Sequence, residues 1–367
     1  MKLKLNVKQI KRIQLMSTQC ASYYRLFTIV LLSLLLFACE SISYYSQSVV
    51  GHSRMMLARE PLDTAIDKAQ GKHKEILQAV KPLRQFAIEE LSLPDNGSYL
   101  SYVDLKREFP VWSVVAAPEF SVSPVTWCYP VIGCAAYRGY FAKHSAEKYA
   151  KKLQKKQLET VVGGVSAYST LGWFADPLLP TMFQFGKISF MQLMFHELAH
   201  QQLYVNGNSS FNEAFATVVG EHGTLRWLER NAPNKVGVYQ ERMAVRNDFS
   251  SLLKSVKLEL ADLYAKSLSD EEKRQQKEVI FSQFKHQYEQ LIQGRWNGKK
   301  WYSAWFKKPV NNARLAAFST YRDLVPAFEA LLADCQGDFA LFYEVVASQK
   351  GKGKNAQVPE KCSIESS

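Results

Sequence analysis

Two histidines and a glutamate carry the clearest chemistry in this sequence. His196-Glu197-Leu198-Ala199-His200 places two imidazoles four residues apart, and on a helix that spacing puts both on one face, one turn apart. Such a pair can bind one Zn²⁺ through Zn–N bonds of roughly 2.0–2.1 Å. Glu197 follows the first histidine and can act as a base toward a water polarised by the metal. A catalytic zinc site needs a third protein ligand and keeps its fourth position open. The candidate is Glu213, in Asn212-Glu213-Ala214-Phe215-Ala216, 13 positions after His200. The competing reading is a helix that merely carries two hydrogen-bonded histidines. The surroundings favour the metal: a structural zinc site has no need of a base beside its ligand and usually takes four protein ligands.

The elements that must position these groups are legible around them. Lys187 to Phe195 and Gln201 to Val205 contain no Pro or Gly and read as helix on both sides of the pentapeptide. Asn206-Gly207-Asn208 is a stop and turn. A second helix starting near Phe211 carries Glu213, and Thr217 one turn later could orient a ligand by a hydrogen bond but brings no charge. Upstream, Val111 to Val115, Val125 to Tyr129 and Thr160 to Tyr168 are rich in β-branched and aromatic residues and read as short strands. Residues 41–57 and 61–91 read as helix, with breaks at Pro61 and Pro82, and most of the chain after Glu221 reads as helix too. Residues 239–292 hold no Pro or Gly and suggest a helical hairpin arm, with 270–277 as a solvent-facing run. The polar 349–354 tail reads as loose. The fold class expected is α+β, mostly helical, with a small sheet upstream of the metal helix.

The N-terminus reads as a targeting segment. Residues 1–25 carry six basic residues and no acid, and an apolar run of 13 residues, 26–38, follows. That run is too short to span a bilayer well and has the length of a signal-peptide core. It ends Leu36-Phe37-Ala38-Cys39, which is similar to a bacterial lipobox, against the alternatives of an ordinary signal peptide or an uncleaved anchor. The domain reading is therefore a signal peptide over 1–38 and one zinc metallopeptidase domain over 39–367, anchored to a membrane through lipid on Cys39. Glu40 is not the aspartate that retains lipoproteins in the inner membrane, so the expected place is the outer membrane, facing the periplasm. The full chain has 46 basic and 34 acidic residues, net +12. Removal of 1–38 leaves 40 against 34, or +6, and no nucleic-acid motif accompanies that mild excess. The basic run Lys148 to Lys156 carries a helical apolar stripe and reads as a solvated helix face. Four cysteines then remain, Cys128, Cys134, Cys335 and Cys362, and four allow three pairings. The local pairing Cys128 with Cys134 and Cys335 with Cys362 is the simplest in an oxidising compartment, against buried free thiols.

Several blocks together resemble a known family. They are Trp127 to Phe141 around the first two cysteines, Ala167 to Pro177, His196 to His200, and Phe211-Asn212-Glu213-Ala214-Phe215. This order is similar to that of the predicted bacterial zinc aminopeptidases, a family expected to consist of lipoproteins. The resemblance implies a gluzincin-like metallopeptidase core with one Zn²⁺ held by His196, His200 and Glu213. The connection to Glu213 is shorter than in thermolysin-like enzymes. Glu221, with 20 residues after His200 before it, fits their spacing better but lacks the Asn-Glu context. The resemblance also implies that the strand at Val161 to Ser169 lines the cleft and pairs with an extended substrate, with Gly163 and Gly164 allowing close approach.

The function expected is hydrolysis of peptide bonds, with Glu197 as general base. The developing oxyanion needs one donor besides the metal. Tyr168 and His222 are the leading candidates, and Tyr137, Arg138 and Tyr321 are further ones. An aminopeptidase also needs an acid for the substrate's free amine, for which Asp176 and Glu221 are the candidates. The alternatives are a zinc endopeptidase, or a lipoprotein without catalysis whose helical arm binds a protein partner in the envelope.

Overall fold

The computed structural model describes residues 44–129, 133–170, 173–319 and 322–363. The segment 1–38, Cys39 and Tyr321 lie outside these residues. Two compact units are distinguished, Met1–Arg54 and Met55–Ser367. The described residues of the first are helical and belong to α1, 44–57. Among the described residues, no helix is long and apolar enough to cross a membrane.

In the second unit, α2 (Leu62–Lys68) and α3 (Gly71–Leu91) lead into a loop that runs beside 176–178. Pro82 sits inside α3 without ending it. Burial of Val80, Leu83 and Phe86 on either side of it outweighs the hydrogen bond that proline removes. The sheet is small and antiparallel, in the order β6 (Arg138–Tyr140), β3 (Val111–Pro118), β7 (Leu158–Val165). Val114 of β3 pairs with Arg138 on one side and Val162 on the other. β7 ends at Val165, so Tyr168 lies beyond the strand expected to hold it. Gly164 serves packing: a Cβ there would sit 2.1 Å from the Phe109 ring. Side chains leave a strand toward the faces of the sheet and not its edge, so this glycine makes room for Phe109 and not for a strand added at the edge.

β4 (Trp127–Tyr129) and β5 (Gly133–Ala135) form a hairpin with Cys128 opposite Cys134, and a disulfide joins them. A second disulfide joins Cys335 and Cys362. The 349–356 segment is anchored by hydrogen bonds and by burial of Gln349 and Ala356, with exposed residues between them. Gln349 is buried and accepts from Gln357 N at 3.2 Å, while Asn208 Nδ2 donates to Gly353 O and Ala356 O at 3.4 Å.

The helical hairpin forms as α7 (Val236–Ala265) and α8 (Asp270–Gln293), with its own aromatic core around Phe249, Phe284, Tyr288 and Trp296. It is not a free arm. Lys277, in the run read as solvent-facing, is 5% exposed, pairs with Glu159 of β7 and donates to Glu119 O at 2.9 Å. Its charge requires such a partner once buried.

The main core gathers α3, the 176–183 loop, α5 (Gly186–Gln202), α6 (Ser209–Asn231), α10 (Val325–Asp334) and α11 (Phe339–Ala347). α5 buries Phe190, Met191, Met194, Phe195, Leu198 and Ala199, apolar groups that share one half of its circumference, the broad stripe by which a helix faces a core. α6 lies against it so closely that a Cβ on Gly220 would stand 2.8 Å from Gln192 O and 3.2 Å from His196 Cβ. Gly220→Ala should therefore force the two helices apart and destabilise by about 1–3 kcal/mol. Gly237→Ala, in α7 with nothing within 4 Å of the new methyl, should be neutral or gain up to about 1 kcal/mol. Urea unfolding of the two variants beside wild type checks the contrast.

Candidate metal centre

α5 carries His196 and His200 one turn apart, and α6 brings Glu213 to them. His196 Nε2 and His200 Nε2 are 3.1 Å apart, and Glu213 Oε2 lies 3.3 Å from the first and 3.5 Å from the second. The three side chains are 15%, 7% and 15% exposed. Among the described residues they form the group of histidine and acidic side chains able to hold a metal ion. Ligands at roughly 2.0–2.1 Å around a tetrahedral zinc stand about 3.3–3.4 Å from one another, so the donor triangle has the size that such an ion requires. Two imidazoles and one carboxylate are also a donor set that zinc accepts.

The short connection between the helices is held by Asn212. Its side chain, 1% exposed, accepts from Val205 N at 2.7 Å and donates to Val205 O at 2.8 Å. One amide thereby satisfies both backbone groups of a residue just beyond α5 and sets the residue next to Glu213 against the end of the histidine helix. Asn208 caps α6 by accepting from Phe211 N at 3.1 Å. Asn212 was visible only as part of the Asn-Glu pair, and its clamp was not foreseen.

Burial pushes the Glu213 carboxyl up, but the charges and hydrogen bonds of His200 and His196 outweigh it and hold the group well below the usual carboxylate range. Burial lowers His200, yet the charge and hydrogen bond of Glu213 outweigh that and raise it. Glu197 is raised, chiefly by burial, against the lowering effect of His196 and His200. Burial, then the charge of Glu213, raises the half-buried Tyr204 phenol.

The other residues singled out from the sequence are scattered. His222 follows Glu213 by nine positions, two and a half turns, and so faces the opposite side of α6. It lies 3.7 Å from Glu329 and lines a cavity of about 220 Å³ with Arg226, Glu229 and Phe339. Tyr168 packs its ring 5.6 Å from that of Phe141. Arg138 stands over the Tyr149 ring, 4.7 Å from its centroid, and Tyr137 is 37% exposed. Thr217 is buried in α6 one turn after Glu213.

Neither acid proposed for a substrate amine is free for it. Asp176 is fully buried and accepts from Ser169 Oγ at 3.2 Å, Thr170 N at 3.1 Å, Thr170 Oγ1 at 2.7 Å and Gln201 Nε2 at 2.9 Å. Burial raises its pKa, and these hydrogen bonds oppose the rise. Glu221, the alternative third ligand, is fully buried and clamped by Arg246 and Arg322, each 2.5 Å from Oε1. It lies eight residues beyond Glu213 on α6, in a network with Gln192, Tyr239 and Asn247. Glu221→Ala leaves two guanidiniums without their buried counter-charge and should destabilise by about 3–5 kcal/mol, read as a lower urea midpoint.

No curated protein and no solved structure matches the chain. A family model described as "Putative aminopeptidase" matches residues 43–358 and thus takes in both helices of the metal centre and the sheet upstream of them. The chain belongs to that putative aminopeptidase family.

Proposed function

We propose that the chain is a zinc-dependent aminopeptidase tethered to the bacterial envelope through Cys39. The observation that carries this reading is the triangle of His196, His200 and Glu213 donor atoms, 3.1–3.5 Å on a side, with Glu197 beside the first ligand. A zinc ion held by these residues would supply Lewis acidity, drawing the pKa of a water towards about 7. Glu197 takes the proton of the attacking water and passes it to the leaving amine. Burial favours that role, because it moves the carboxyl from its ordinary range towards neutrality. Tyr204 follows the helix of the histidines, next to the Val205 that Asn212 clamps, and it lies in the field of Glu213. That makes it a better donor for the developing oxyanion than His222, which faces away. A substrate strand would add to β7, which pairs with β3 and ends the three-stranded sheet.

An endopeptidase is the second reading, favoured by the engagement of Asp176 and Glu221 in hydrogen bonds and ion pairs of their own. Peptides with free and with acetylated amino termini separate the two: cleavage of the free form alone supports an aminopeptidase, and equal cleavage supports an endopeptidase.

Glu197→Gln should keep about one zinc per chain and lose hydrolysis by about a hundredfold to ten-thousandfold, the range for a general base. Glu213→Ala should lose the zinc itself, as should treatment of wild type with a chelator. Metal content and initial rates on a peptide series check these outcomes, and full activity in Glu197→Gln would remove the mechanism.

A further inference from the structure

Tyr99 takes no part in the chemistry described so far, yet the structure holds it in an unfavourable state on a loop bonded, through Asp176, to the helix of His196 and His200. It is 1% exposed, and its hydroxyl has no hydrogen-bond partner among the described residues. Its backbone sits at φ 65°, in the left-handed region that an aromatic residue rarely enters. Hydrogen bonds on all sides keep it there. Tyr99 N donates to Asp176 O at 2.7 Å, and Ser98 Oγ accepts from Asp176 N at 3.1 Å. Asn96 Nδ2 donates to Gln201 Oε1 at 2.5 Å, and Gln201 Nε2 in turn donates to Asp176 Oδ2. The loop is thus stitched to the residue that follows His200. Strained residues gather where a function over-determines them, and a buried hydroxyl without an acceptor is costly.

Gln201 stands one turn after Glu197 on α5 and shares its helix face, so the bonds to Gln201 set the Tyr99 loop against the face that carries Glu197. The charges of Glu197 and Asp176 both act on the phenol. Asp176 already accepts from Ser169, Thr170 and Gln201. The hydrogen bonds described above reach Asp176 and Glu213 but not Glu197. We propose that the Tyr99 hydroxyl donates to the Glu197 carboxylate in the working enzyme, so that Tyr99 is a positioning residue that aims the general base. A base must come within about 2.6–3.2 Å of the atom whose proton it takes, and a misplacement of about 1 Å costs about a hundredfold in rate. The phenol keeps its proton throughout. Burial, then the charge of Glu197, pushes it well above the ordinary tyrosine range, so it remains a donor at neutral pH. The inference rests on the reading of Glu197 as the base.

The test uses the full-length protein with Tyr99→Phe, Glu197→Ala and the double variant. Tyr99→Phe keeps the ring and removes only the hydroxyl. In protein loaded with zinc it should lower the urea midpoint in the wild-type background and fail to lower it in the Glu197→Ala background. An equal change in both backgrounds would show that the two side chains are not coupled and overturn the proposal. With zinc supplied, Tyr99→Phe should lower kcat about tenfold to a hundredfold with KM unchanged, the loss expected for a hydrogen bond to a charged group. An unchanged kcat, or a change in KM alone, would also overturn it. If wild type with zinc cleaves no peptide, the peptidase reading fails, while the midpoint comparison still decides whether Tyr99 and Glu197 are coupled.

Discussion

The close contact of α5 with α6 is the constraint on which the rest of the candidate metal centre depends. Two of the candidate ligands stand on one helix and the third on the next, and donor atoms 3.1–3.5 Å apart tolerate little relative movement of the two. The distance between the helices is set at Gly220, where backbone meets backbone. Their register is set at Asn212, which locks Val205 with two hydrogen bonds. Interiors packed at crystal density transmit displacement, so a methyl group at Gly220 acts on His196 directly.

The turn between these helices is braced from two sides. Gly133 of the disulfide hairpin lies against Asn206 and Gly207, where a Cβ would come within 2.3 Å of Asn206 Oδ1. The chain near Gly353 accepts from Asn208, and the Cys335–Cys362 disulfide pins the segment that follows. Both disulfides thereby support the ligand set from a distance, which gives two cysteine pairs a role beyond their own loops. Further along α6, the Glu221 carboxylate with Arg246 and Arg322 ties the same helix to α7 and to the residues just before α10. α6 is held near its start by an amide clamp beside Glu213 and at its middle by an ion cluster around Glu221.

Much of this arrangement was legible in the sequence. The pentapeptide, the turn at Asn206-Gly207-Asn208 and the following helix all appear where local rules place them. The mostly helical architecture with a small upstream sheet follows from the same periodicities. The misreadings share a cause. Pro82 and Lys277 were judged by local propensity and charge, and burial overrode both. The 349–354 tail was judged by composition, and hydrogen bonds across more than 140 residues overrode that. His222 was weighed as a catalytic group by its place after the ligand helix, while the helical repeat sends it to the far side.

The sequence by itself determined that two imidazoles share a helix face, because a spacing of four is resolved within one turn of backbone. It also determined that Glu213 follows a tight turn. Which acid completes the triangle was decided only by the tertiary structure. Glu213 and Glu221 lie on the same helix eight residues apart, and local rules make either one available. The packing of α6 on α5 brings Glu213 to the histidines and turns Glu221 toward Arg246 and Arg322. Tyr99 was equally out of reach of sequence reasoning. Nearly a hundred residues separate it from Glu197, and only the folding of its loop onto Asp176 and Gln201 brings the phenol within the field of that carboxylate.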